Sequence, residues 1–273
     1  MFGTPGGRRD IVTGRYGRTR HVVASDRDSG FFHLPDALKY LAVVTQMKTF
    51  VLGDIHGAWR ALRQVFERSG FDAKKDELIF LGDAVDGWPQ SPECVEELMR
   101  VKNLVYLLGN HDAWALDWLK DGRISSEWLE QGGQATLDAY SLPQWNEKKA
   151  EHIEFLSNAR LNYLDRENRL FVHGGIDPML PLDQQDEQDL IWDRTLFDLA
   201  GGVPEYREIF IGHTVTLTEN TDKPLQFGKN DNIWRLDTGA GWDGRLTIMD
   251  VETREYWQSD PVAELYPDEK GRF

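Results

Sequence analysis

Little in this sequence can be cross-linked or inserted into a bilayer. One cysteine, Cys94, stands in 273 residues; it has no internal disulfide partner, and its helix-like surroundings make it a buried structural thiol without a redox role. No apolar run approaches the ~18 to 20 residues of a membrane span, and the N-terminus lacks the charged, apolar and small-residue order of a secretory signal. The expectation is a soluble, cytoplasmic chain with no membrane partner. Basic residues are scarce too: 31 Lys and Arg face 46 Asp and Glu, a net charge of -15. That balance disfavours a protein that grips nucleic acid through its phosphates, so no nucleic-acid partner is expected. It also repels anions at long range, so a phosphate site has to gather positive charge locally, from metals or a few arginines. Internal repeats and low-complexity tracts are missing as well.

What is present suffices for a sizeable core, with 40% hydrophobic and 11% aromatic residues. Residues 1–46 stand apart: Arg8, Arg9, Arg15, Arg18, Arg20, Arg27 and Lys39 outweigh Asp10, Asp26, Asp28 and Asp36, and apolar periodicity is weak until Leu34 to Val44. They are expected to be an N-terminal extension dispensable for catalysis, the four aspartates weakening a transit-peptide reading. Met47 opens a compact strand, and residues 47–273 are expected to form the working domain. There, short apolar runs alternate with amphipathic segments, which points to an α/β layer fold. Strands are predicted at Thr49 to Leu52, Leu78 to Leu81, Leu104 to Leu108, Leu170 to Val172 and Glu208 to Ile211. Helices are predicted at Ala58 to Ser69, Ser91 to Lys102, Ala113 to Lys120, Gln134 to Tyr140 and Glu147 to Asn158. Late strands near Ile233 to Leu236, Leu246 to Met249 and Glu255 to Trp257, with turns such as Trp242-Asp243-Gly244, are expected to form an antiparallel meander closing a second sheet.

Five of the strands end in a metal-competent residue: Gly53-Asp54-Ile55-His56-Gly57, Gly82-Asp83, Gly109-Asn110-His111-Asp112, Val172-His173-Gly174-Gly175 and Gly212-His213-Thr214. In an α/β sheet the carboxyl ends of the strands face one crevice, so these loops can converge. Each alone also suits an ordinary turn or a satisfied polar strand end. Together they supply carboxylate, imidazole and amide donors and no thiolate, a set that suits Mn²⁺, Fe or Zn²⁺.

The motif order, with Gly-Asp-Ala-Val-Asp-Gly at 82–87, resembles the phosphoprotein-phosphatase branch of the calcineurin-like metallophosphoesterases from Met47 onward. Phage-type and bacterial serine/threonine protein phosphatases are the nearest in pattern, with symmetrical dinucleoside tetraphosphatases as near relatives. The resemblance implies a two-sheet α/β sandwich flanked by helices. It implies two divalent metals, Mn²⁺ first, with Asp54, His56 and Asp83 on one ion and Asp83, Asn110, His173 and His213 on the other. Hydrolysis would proceed by attack of a metal-bridging hydroxide, with His111 as general acid oriented by Asp86 and Asp112 in outer support. His111 also carries the alternative reading of a ligand or supporting residue. Arg194, in Leu190-Ile191-Trp192-Asp193-Arg194, resembles the phosphate-binding arginine of the phage-type enzymes.

One departure stands out. The family pattern places an arginine after Asp86, whereas Gly87 and Trp88 follow here, so one phosphate clamp is missing from its expected place. The first functional expectation is a phosphoserine/phosphothreonine protein phosphatase acting on a phosphoprotein or small phosphorylated substrate. The alternatives are a symmetrical dinucleoside tetraphosphatase, a cyclic phosphodiesterase, or a catalytically weak metal-binding scaffold. Most of the ten tryptophans are expected in the core, with Trp88 and Trp242 as candidate groove walls. Gly132-Gly133 resembles a loop near the active site of the phage-type enzymes.

Overall fold

A computed structural model describes residues 47–198, 203–228 and 231–272; the expected extension, residues 1–46, lies outside them. Two five-stranded sheets form the frame, in the orders β10-β9-β1-β2-β3 and β4-β5-β6-β8-β7. In the first, β1 (Thr49–Leu52), β2 (Glu77–Phe80) and β3 (Asn103–Tyr106) run parallel, with Val51 opposite Ile79 and Ile79 opposite Val105. In the second, β5 (Arg169–Val172), β6 (Glu208–Ile211) and β8 (Ile233–Arg235) run parallel, with antiparallel edges β4 (Asn162–Leu164) and β7 (Leu225–Phe227).

The period of two in a strand explains the layers. Val51, Ile79, Phe171, Phe210 and Met249 meet in a core cluster between the sheets, where Phe171 and Phe210 stack at 4.8 Å. Phe50, Leu52, Leu78 and Phe80 point the other way, under the helices. Burial on both faces is why these strands read as continuous apolar runs instead of alternating ones. Helix α1 (Trp59–Ser69) buries Ala61, Leu62, Val65 and Ser69 and stops at Gly70, whose φ of 67° suits glycine. Cys94 is buried in α2 (Ser91–Met99). Then come α3 (Asn110–Asp121), α4 (Gln134–Ser141), α5 (Lys149–Ser157), α6 (Glu187–Trp192) and α7 (Val262–Leu265). Among the described residues no helix is long and apolar enough to cross a membrane.

The late strands differ from the expected meander. Only β8 joins the second sheet; β9 (Thr247–Asp250) returns to the first, antiparallel to β1, and hairpins with β10 (Tyr256–Gln258). All four residues of β9 are buried, and the open side of β1 supplies cover that a sheet edge would not. The Trp242-Asp243-Gly244 turn therefore lies in a crossover between sheets. Helix α3 also begins at Asn110 instead of Ala113, so the motif itself forms its first turn.

Candidate active site

Three loops of the first sheet and two of the second converge at one end of the sandwich. Asp54 and His56 follow β1, Asp83 and Asp86 follow β2, Asn110 and His111 open α3 after β3, His173 follows β5 and His213 follows β6. All eight are buried. Asp83 is at the centre: its Oδ2 lies 3.7 Å from His56 Nε2 and 3.4 Å from His173 Nε2. The ligand atoms of His56, Asp83 and His111 lie within 4.8 Å of one another, as do those of Asp83, His173 and His213. Asn110 Oδ1 stands 3.0 Å from His173 Nε2. His56, Asp83, Asp86 and His213 all adopt positive φ, between 51° and 71°, a strained backbone that persists only where the surroundings impose it.

Backbone groups decide which atoms face inward. His56 Nδ1 lies 3.2 Å from Val85 O and His173 Nδ1 lies 2.8 Å from Leu81 O. With an N–H donated there, each Nε2 is the ring nitrogen left to face a cation, His173 once it has given up its second proton. His213 is reversed: Nε2 lies 3.2 Å from Trp192 O, so Nδ1 is the electron donor. Asp54 accepts the His213 N–H at 2.9 Å through Oδ2, while its buried Oδ1 has no hydrogen-bond partner among the described residues. A buried carboxylate oxygen without a donor is costly unless a cation completes it. Donor chemistry, tautomers and this orphaned oxygen all fit divalent cations.

Charges follow the same geometry. Burial raises the Asp54 carboxyl well above its usual range, with the Asp237 and Asp83 charges adding to it. Burial and the Arg272 charge hold His56 well below the usual imidazole value, and burial, His173 and Arg194 do the same to His213. His173 resists burial because Asp83 faces it, and is pushed up to about 9. Asp83 in turn, although buried, is held well below the usual carboxylate range by His173, His111 and His56. Without cations, the Asp83 charge thus favours a proton on His173.

His111 points Nδ1 at Asp86 Oδ2, 2.7 Å away, leaving Nε2 as its only other ring nitrogen. Asp86 is itself clamped by donors from Trp128 Nε1 at 2.7 Å and Thr136 Oγ1 at 2.6 Å. Asp112 accepts the N–H groups of Asp83 and Ala84, each at 2.8 Å, shaping the loop that presents Asp83. Burial, then the Asp83 charge, raises its carboxyl to about 7. Arg194 is exposed at the rim, with Nη1 donating to His213 O at 2.9 Å and to Thr214 Oγ1 at 3.3 Å. Trp88 is no groove wall: it is wholly buried, its Nε1 bonds Ala240 O, and it stacks on Tyr266 at 5.1 Å.

Two residues near the site were not singled out by sequence. Asp237, buried after β8, acts electrostatically on Asp54; Leu236-Asp237-Thr238-Gly239 repeats the strand-then-carboxylate grammar and could have been found by it. Arg272 reaches His56, with Nη1 3.1 Å from Nε2, and no local motif marks it. Gly132 does border the site: its carbonyl accepts the Gly87 N–H at 3.0 Å.

A family model described as calcineurin-like phosphoesterase matches residues 47–236. The curated symmetrical bis(5'-nucleosyl)-tetraphosphatase of Neisseria gonorrhoeae (strain NCCP11945) is 27% identical over 267 residues, spanning 78% of this chain and 95% of its own. An enzyme of the same name from Coxiella burnetii (strain CbuG_Q212) is 32% identical over 275 residues, spanning 77% of this chain and 92% of its own. Among solved structures, a protein serine/threonine phosphatase from Saccharomyces cerevisiae superposes with a TM-score of 0.54 at 17% identity, covering 80% of this chain and 81% of that one. That last likeness concerns the fold.

Proposed function

The chain belongs to the calcineurin-like phosphoesterase family, and from that premise we propose that it is a divalent-metal hydrolase whose substrate is a symmetrical dinucleoside tetraphosphate. The observation that carries the reaction type is Asp83, which belongs to both candidate ligand groups and so can bridge two ions. Asp54, His56 and Asp83 would hold one ion, and Asp83, Asn110, His173 and His213 the other; a donor set without thiolate suits Mn²⁺ first, with Fe or Zn²⁺ as substitutes. Bound there, two such ions supply Lewis-acid activation of water and neutralise phosphoryl oxygens. The chain's own groups do the rest. His111, oriented by Asp86, delivers a proton from Nε2 to the departing oxygen, and Arg194 stands at the rim to receive phosphate oxygens.

The substrate class rests on the relatives of 27% and 32% identity, both named symmetrical tetraphosphatases. It agrees with an aromatic wall beside the acid, where Trp114 meets His111 edge-on at 5.2 Å and Trp192 at 4.8 Å. Both indoles are half-buried, as befits a surface for a nucleobase. The phosphoprotein reading drawn from the motifs takes second place, because those relatives carry the other name.

The test is a metal-supplemented panel of diadenosine tetraphosphate, a phosphothreonine peptide, a cyclic nucleotide and p-nitrophenyl phosphate, with products separated by chromatography. Expected is one tetraphosphate plus one water giving two molecules of ADP, abolished by a chelator. Preferred turnover of the peptide would move the chain to the phosphoprotein reading, and turnover that survives metal removal would overturn the metal chemistry.

A further inference from the structure

The arginine missing after Asp86 leaves a gap in the sequence, and the structure fills that gap from elsewhere. A Cβ built on Gly87 would lie 2.8 Å from Arg272 Cγ and 3.6 Å from its Cδ. The Arg272 side chain therefore occupies the volume that a side chain at position 87 would take. It is seated from several directions. Its backbone N–H donates to Gly241 O at 3.0 Å, Nε donates to Gln131 O at 3.2 Å, and Nη2 donates to Gln131 Oε1 at 3.1 Å. The guanidinium lies over Trp242, 5.0 Å from the ring centroid. Added Cβ atoms on Gly132 and Gly241 would come within 3.1 Å of Cγ and 2.7 Å of Cδ, so the slot has room for arginine only because those positions are bare.

Trp88, next to Gly87, serves the same arrangement. Its indole stacks on Tyr266, and the space above it admits Gly271 only without a Cβ, which would meet Trp88 Cζ2 at 2.8 Å. Gly87 makes room for Arg272, and Trp88 grips the segment that delivers it. The guanidinium is close enough for its charge to act on Arg194, Asp237 and His56. With Nη1 one hydrogen bond from His56 Nε2, it borders the place where phosphate oxygens must sit if His56 holds a cation. We infer that Arg272, threaded past Gly87, is the second phosphate-binding arginine of this enzyme, contacting the phosphoryl group in addition to Arg194.

The inference rests on the phosphate-hydrolysis reading above, but its test does not need the true substrate. Inorganic phosphate, the group shared by every candidate substrate, is titrated calorimetrically into metal-loaded full-length protein. The wild type is compared with Arg272→Gln, Arg272→Lys and Arg272→Ala, and metal content and melting temperature are recorded for each. Loss of a charge-assisted contact should weaken phosphate binding roughly 10- to 100-fold in Arg272→Gln and Arg272→Ala. Arg272→Lys should recover only part, because an ammonium cannot reproduce the two-pronged contact. Bound metal should stay at the wild-type level in all three. Unchanged phosphate affinity would overturn the inference, as would metal loss that accounts for the phosphate loss. If the wild type binds phosphate yet hydrolyses nothing in the panel, the functional reading fails while this comparison still decides the role of Arg272.

Discussion

At the residue scale, His111 gives the sharpest handle on chemistry. Its worth as a general acid depends on how badly the leaving oxygen needs a proton: a serine or threonine alkoxide leaves poorly, whereas p-nitrophenolate or a terminal nucleotide phosphate leaves as a stabilised anion. His111→Asn should slow a phosphothreonine peptide by a factor on the order of 10² to 10⁴, and the other two substrates far less. Steady-state kinetics on metal-replete protein check this; equal losses on all three with loss of metal would make His111 a ligand. Asp86→Asn should show a weaker form of the same asymmetry. It should also lower stability by about 1 to 3 kcal/mol, since one amide cannot accept from His111, Trp128 and Thr136 as the carboxylate does. His173 provides a pH signature. Held at about 9 by Asp83 without cations, it must release a proton to ligate, so metal affinity should rise by up to about tenfold per pH unit between pH 6 and 9. Calorimetry in two buffers of different ionisation enthalpy should find about one proton released per ion at this site. Linkage gives the converse for chelated protein: a raised imidazole pKa stabilises fully below its unfolded value, about 6.5, and that contribution is lost as pH rises through about 9. Urea melts at both ends of that window read the difference.

At the element scale, the site depends on strand ends that touch. A Cβ on Gly53, at the end of β1, would sit 2.3 Å from Leu236 O, at the end of β8 in the other sheet. Gly53→Ala should cost about 1 to 3 kcal/mol by overpacking and should lower metal content, because the shift displaces Asp54; urea denaturation and elemental analysis measure both. The same scale explains what was legible beforehand. Positions 54, 56, 83, 110, 111, 173 and 213 could be read because an apolar run ending in a metal-competent side chain next to or near glycine is a local pattern. Asn162–Leu164 and Leu225–Phe227 could not: each is a three-residue edge strand without a buried alternating face. Nor could the partner of β9, since strand pairing across the length of a domain leaves no local mark. Arg272 escaped for the same reason, for its partners in space are Gly87 and Gln131.

At the scale of the whole molecule, a net charge of -15 surrounds a site built to receive a polyanion. Long-range repulsion should make substrate capture improve as salt rises from about 10 to 150 mM, where the screening length falls from roughly 30 to 8 Å. A rise in kcat/KM over that range at fixed free metal is the expected result, and a steep fall would mean that local arginines govern approach from afar. The return of β9 to the first sheet has a consequence of another kind, in the order of synthesis. Phe50 pairs with Asp250, and Leu52 with Ile248, so a ribosome that has made β1 must add about two hundred further residues before its second neighbour exists. At about 5 to 20 residues per second this leaves an apolar strand edge open for roughly 10 to 40 s. Nascent chains stalled before residue 247 should therefore be chaperone clients and should aggregate on release.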